Sequence, residues 1–134
     1  MDVLDLHDNR ITKIENLRNL HSLRVLNLSN NQITVLDIPH PMKGLHELNL
    51  RKNCISEIKE FNQLTSIQKL YLSNNKITTL TNISNMPQLS DFTCENNPVE
   101  KQQPNLLKQL KEKFPSLSFY NLQKVSTLFD VNAQ

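Results

Sequence analysis

The chain has one glycine, no tryptophan and two cysteines, and neither sign of charge predominates. A lone Gly44 excludes glycine-rich phosphate loops and the dinucleotide fingerprint, which need several glycines for tight turns and close backbone approach. Fifteen Lys and Arg stand against 13 Asp and Glu, a net of +2 with His neutral. That balance argues against a strongly basic nucleic-acid or membrane-surface binder. No apolar run reaches the roughly 18 residues of a membrane span, and no charged start followed by an apolar stretch marks a secretory signal. Two cysteines and four scattered histidines give no zinc spacing. Asp2, Asp5 and Asp8 lie close together and read as a solvated strand face. No nucleophile, base and orienting acid converge by register. The expectation is a non-enzyme with no cofactor, no metal and no small-molecule substrate. At 134 residues there is room for one domain.

What is abundant is Leu, with 22 residues, and Asn, with 18. Asn9, Asn31, Asn53, Asn75 and Asn97 recur every 22 residues. Ahead of each runs the same frame: Met1, Leu4, Leu6; Leu23, Leu26, Leu28; Leu45, Leu48, Leu50; Ile67, Leu70, Leu72; Leu89, Phe92, Cys94. Two residues after each Asn comes an aliphatic: Ile11, Ile33, Ile55, Ile77 or Val99. Apolar and polar residues alternate before each Asn, as in a strand with one buried face. One such strand cannot bury its apolar face alone, but a stack of parallel strands can. The Asn carboxamides are expected to form a structural ladder, satisfying loop backbone groups of neighbouring turns. Behind each strand the apolar residues fall three apart, as in Ile55, Ile58, Phe61 and Leu64, which predicts a 3₁₀ or irregular back wall. Pro39 and Pro41 predict an irregular bulge over residues 37–43.

The frame L-x-x-L-x-L-x-x-N resembles the leucine-rich repeat. It implies an α/β repeat fold: a right-handed solenoid with a parallel concave β-sheet, a 3₁₀ or irregular convex side and a carboxyl-terminal helical cap. Residues 1–100 carry the repeats, with about five strands. Residues 101–125 form the cap, with a helix over 104–114 started by Pro104 and a last edge strand at Leu117, Phe119 and Tyr120. Residues 126–134 are a tail without periodic signal. The segment from Phe114 to Val125 resembles the cap that follows 22-residue intracellular repeats, except that Asn121-Leu122 stands where an Asp-Gly turn is expected. The frame is similar to the intracellular class typified by a protein-phosphatase regulator, which includes dynein light-chain, spliceosomal and tubulin-cofactor proteins. Leu4-Asp5-Leu6-His7, Lys13-Ile14-Glu15-Asn16, Leu23-Arg24-Val25-Leu26-Asn27-Leu28 and Glu47-Leu48-Asn49-Leu50-Arg51 further resemble the leucine-rich-repeat subunit of tubulin polyglutamylase complexes. The resemblance implies a scaffold in a tubulin-modifying or other ciliary complex. Protein partners would include tubulin or tubulin-modifying subunits, and nucleic acid and membrane would not be partners. Alternatives are a phosphatase regulatory subunit and a spliceosomal-type RNA-associated scaffold.

Register then sorts the outward strand positions into columns. The amino end is acidic, the middle basic and the carboxyl end acidic again. The candidate partner-binding residues are Glu47, Asn49, Arg51, Lys52, Lys69, Tyr71, Ser73, Lys76, Asp91, Thr93 and Glu95, with Tyr71 the one aromatic in the columns. An exposed Tyr beside Arg has the composition of an interface hot spot. Cys54 and Cys94 fall two repeats apart, roughly 10 Å at the parallel strand spacing, beyond disulfide reach, which predicts two free thiols. With no cysteine-rich cap and no signal segment, the expected setting is a reducing cytoplasm, at the cytoskeleton, cilium or basal body. The frame starts at Met1 with no cap before it, which reads as a piece of a longer array.

Overall fold

Each frame forms a three-residue strand, and the strands stack with a 22-residue offset in the computed structural model, which describes residues 2–59 and 61–128. In chain order the elements are β1 (Val3–Asp5), β2 (Val25–Asn27), β3 (Val35–Leu36), β4 (Glu47–Asn49), β5 (Glu57–Ile58), β6 (Lys69–Tyr71) and β7 (Asp91–Thr93). Then come α1 (Pro98–Gln102), α2 (Leu106–Lys113), β8 (Phe119–Tyr120) and β9 (Gln123–Lys124). The main sheet runs β1-β2-β4-β6-β7-β8-β9 and is parallel up to β8. Its register follows the sequence period: Leu4 opposes Leu26, then Leu48, Leu70 and Phe92. Leu26, Leu48, Leu70 and Phe92 are fully buried, each contributing about 1.5–3 kcal/mol of apolar transfer. The result is one continuous core running along a solenoid with a parallel sheet, as the frame implies.

The Asn ladder works as expected in every coil that has a neighbour before it. Asn53 Nδ2 is shared among Leu28 O, Leu50 O and Arg51 O, and its Oδ1 accepts from Ile33 N at 3.1 Å. Asn31, Asn75 and Asn97 repeat the pattern. Asn9 reaches only Leu6 O and His7 O, in its own coil, and is exposed. The residue before each ladder Asn turns the chain in the left-handed region: Asp8, Asn30, Lys52, Asn74 and Asn96 have φ of 58°, 55°, 57°, 61° and 58°. Asn and Asp tolerate that conformation better than other side-chain-bearing residues.

The threefold apolar spacing on the convex side closes single tight turns. Leu20 N bonds Leu17 O, Leu45 N bonds Met42 O and Ile67 N bonds Leu64 O. These are 3₁₀-type bonds, but no continuous 3₁₀ segment forms among the described residues. Residues 37–42 are irregular, with Ile38 and Met42 turned inward. A second, two-stranded parallel sheet of β3 and β5, not expected from the sequence, lies on this side.

The cap differs from expectation in three places. The helix expected over 104–114 is α2, which starts at Leu106 and stops at Lys113. Pro104 precedes its N-cap, Asn105, because the chain must first leave α1, a short helix opened by Pro98 that the 22-residue frame conceals. β8 is not the edge: β9 folds back on it antiparallel. The connecting Asn121 and Leu122 both take positive φ, 50° and 68°, as a two-residue hairpin loop of type I′ requires. Asn121 also extends the ladder logic, its Oδ1 accepting from Cys94 N at 2.8 Å. Its Nδ2 and the Tyr120 hydroxyl both donate to Glu100 Oε2. Of the tail expected over 126–134, residues 126–128 continue a helical turn begun at Val125. Residues 129–134, like Met1 at the head of the first frame, lie outside the described residues. Among the described residues no helix is long and apolar enough to cross a membrane.

Candidate functional site: the concave sheet

Tyr71 ends β6, flanked in register by Asn49 on β4 and Thr93 on β7. Parallel neighbours lie about 4.8 Å apart, so long side chains from adjacent coils meet across the face. Arg51, two residues beyond Asn49 and therefore on the same face, lays its guanidinium over the Tyr71 ring at 4.0 Å from the centroid. On the other side the Tyr71 hydroxyl donates to Asp91 Oδ2 at 3.3 Å. Three consecutive coils thus contribute to one chain of contacts, Arg51 to Tyr71 to Asp91. Burial, and then the Asp91 and Glu47 carboxylates, push the Tyr71 phenol up to about 12, so it stays a hydroxyl donor. Two register positions away, Lys69 Nζ approaches Glu47 Oε1 at 4.0 Å, with both groups partly exposed. Such a pair is worth little in stability but fixes where the charges stand.

The other expected residues divide into three groups. Asn49 acts as a brace, its Oδ1 accepting from Arg51 N at 3.1 Å. Asn27 does the same for Ser29 N, and Asp5 for His7 N. Ser73 and Thr93 are buried, and their hydroxyls, like Asp91 Oδ1, have no partner among the described residues. Lys52, Lys76 and Glu95 are exposed. Lys76 follows the ladder residue Asn75 on the turn leaving the sheet, its backbone N–H bonded to Ile55 O, so it stands at the rim and not in a strand column. The structure therefore gathers Arg51, Tyr71, Asp91, Lys69 and Glu47, and leaves Lys76 outside. Sequence reasoning missed that Asn49 is spent on the backbone. The signal was available in the column Asp5, Asn27, Asn49, whose side chains share one local geometry.

Elsewhere the chemistry is quiet. Cys54 and Cys94 are both free thiols. Burial pushes Cys94 up to about 12, which suppresses thiolate reactivity. The amino-terminal acids are engaged: Asp5 takes the His7 Nδ1 contact at 2.5 Å, and Asp8 accepts from Asn30 Nδ2. Among the described residues no group of three His, Cys, Asp or Glu could hold a metal ion.

A family model described as Leucine Rich repeats (2 copies) matches residues 1–40, 21–63 and 43–85. No curated protein matches the sequence. Among solved structures, a chain of the Drosophila melanogaster SNF/U2A' complex is similar with a TM-score of 0.82 and 27% identity, covering 92% of this chain and 74% of that one. A leucine-rich-repeat protein of Leptospira interrogans is similar with a TM-score of 0.72 and 28% identity, over 87% of this chain and 30% of that one.

Proposed function

Because the chain belongs to the leucine-rich-repeat family, we propose that it is a non-enzymatic scaffold that binds a protein partner through its concave face. The observation that carries this reading is the Arg51–Tyr71–Asp91 chain of contacts across three coils. An aromatic ring with a cation over its face and its hydroxyl bonded to a carboxylate is already restrained, so little further ordering is needed on binding. Curved repeat sheets offer an extended concave surface for such contacts. The finer assignment we favour is a subunit of a tubulin-modifying, polyglutamylase-type complex at the cytoskeleton or cilium. It rests on the likeness of the four quoted stretches, so its warrant is analogy of sequence.

One observation favours a second reading, a scaffold within a ribonucleoprotein: the similarity in fold to a chain of the SNF/U2A' complex. The test is affinity purification of the tagged protein from ciliated cells, read by mass spectrometry, with Arg51→Glu alone and with Tyr71→Ala alongside. Tyr71 is half-buried, so the double variant is expected to lose some stability and the single variant isolates the contact. Tubulin-glutamylating subunits lost with Arg51→Glu are the expected result. Ribonucleoprotein components, or a phosphatase catalytic subunit, lost in their place would replace the finer assignment. An unchanged set of partners would refute the concave face as the docking surface.

A further inference from the structure

We infer that the partner docks an acidic protein segment on the third and fourth coils, with a carboxylate seated on the Arg51 guanidinium and Lys52 beside it. This rests on the concave-face reading above and adds the chemistry of the partner.

Three observations converge. First, Arg51 is a cation held in place and left unanswered. Its guanidinium is fixed over Tyr71, yet among the described residues it makes no ion pair and donates no hydrogen bond. Of the neighbouring carboxylates, Glu47 approaches Lys69, and Asp91 accepts the Tyr71 hydroxyl through Oδ2 while its Oδ1 is buried. The planar guanidinium carries a fork of N–H donors that matches a carboxylate in bidentate geometry.

Second, Lys52 breaks a local rule at the adjacent residue. The position before each ladder Asn is left-handed in all five coils, and the other four carry Asp8, Asn30, Asn74 and Asn96. Those four also bond in pairs, Asn30 to Asp8 and Asn96 to Asn74. Lys52 takes the same φ of 57° without that bond, so the outer ladder is interrupted at the third coil. Residues that defy the local optimum of a repeat are expected where function holds them. Here the departure places a second cation beside Arg51.

Third, the surroundings favour a protein carboxylate over a phosphate chain. One face of Tyr71 is covered by Arg51, which takes that face from base stacking, the usual anchor for single strands. Glu47, Asp91 and Glu95 interrupt the cations across the face, so no continuous basic track for a phosphate backbone forms, whereas a single carboxylate needs only the Arg51 and Lys52 pair.

The experiment is fluorescence anisotropy on the intact chain with a labelled glutamate-rich peptide in Gly-Ser flanks, its glutamine counterpart and an oligouridylate. The glutamate peptide is expected to bind, the glutamine peptide is not, and added salt should weaken binding. Arg51→Gln is expected to weaken the peptide about tenfold or more, the scale of a lost charge-assisted pair. Lys52→Asn is expected to weaken it several-fold while the melting temperature holds or rises, since Asn suits the left-handed backbone. A merely structural Lys52 would show the stability change with no change in affinity. Absence of peptide binding, equal binding of the glutamine peptide, indifference to Arg51→Gln, or tighter Arg51-dependent binding of the oligouridylate would each overturn the inference. If Arg51→Glu loses its cellular partner while the peptide fails, the concave scaffold stands and only the acidic partner falls. If the cellular partners are all retained, the scaffold reading itself fails.

Discussion

The two ends of the solenoid are built from the same frame and differ in how far it is covered among the described residues. At the amino end Leu4, Leu6 and Ile11 are only half-buried, and Val3 is 60% exposed. Their counterparts one coil later, Leu26, Leu28 and Ile33, are at most 2% exposed. At the carboxyl end the last frame is sealed: Phe92, Cys94 and Val99 are buried beneath Leu106, Leu110, Phe114, Leu117 and Val125. Asn121 there takes over the role of a ladder residue. The difference teaches that a repeat owns neither its burial nor its hydrogen bonds. Both belong to the interface between coils, as nearest-neighbour models of solenoids hold.

Paired substitutions sharpen that comparison. The largest expected effect is Leu48→Ala, at about 3–5 kcal/mol, against about 1 kcal/mol for Leu4→Ala at the half-covered equivalent position, both read by urea denaturation. Similar losses at the two sites would break the comparison. Asn75→Ala is next. It orphans the Ile55 N–H and leaves the Leu50 and Leu72 carbonyls with one ladder donor each in place of two, for about 2 kcal/mol. Asn9→Ala removes two exposed bonds within one coil and is expected to stay below about 1 kcal/mol.

At the sealed end the expected change is a gain. Leu122 sits at φ 68° in the hairpin and is 67% exposed, so it is strained without packing in return. Leu122→Gly is expected to raise stability by up to about 1 kcal/mol, the left-handed penalty less the added freedom of glycine when unfolded. A loss would mean that Leu122 makes a contact of value.

The smallest effect is at the amino end and is one of pH. His7 is raised above its ordinary 6.5, chiefly by its hydrogen bond to Asp5, and Asp5 is lowered below 3.8 by the same bond. A raised histidine favours folding fully below its unfolded value and loses that contribution as pH rises through the folded value. The lowered Asp5 contributes above its unfolded value and loses the contribution as pH falls through the folded one. The pair is therefore formed at pH values between the lowered Asp5 value and the raised His7 value. A proton NMR titration of His7 should show the upward shift, and Asp5→Asn should abolish it.

The concave sheet, its register and the ladder were legible in the sequence because each follows from one period: a 22-residue repeat fixes which residues oppose which. The convex sheet of β3 and β5 was not, since two-residue strands leave no alternation to read. The cap was misplaced where the period ends. Pro98 falls at the turn position of the fifth frame and opens α1, and only then does Pro104 lead into α2. The site was half legible. The columns placed Tyr71 beside Arg51, but they did not bring Asp91 to its hydroxyl, nor do they show that Ser73 and Thr93 are buried. Lys76 was grouped with the face by its charge, although its place one residue after the ladder Asn75 already put it on the turn.

Hydrogen exchange by mass spectrometry on the chain with its captured partner, against the chain alone, tests the concave scaffold most directly. Slowed exchange confined to segments 47–52, 69–73 and 91–95 is the expected result. Protection of the convex segments 35–39 and 57–59, with the concave strands unchanged, would contradict it.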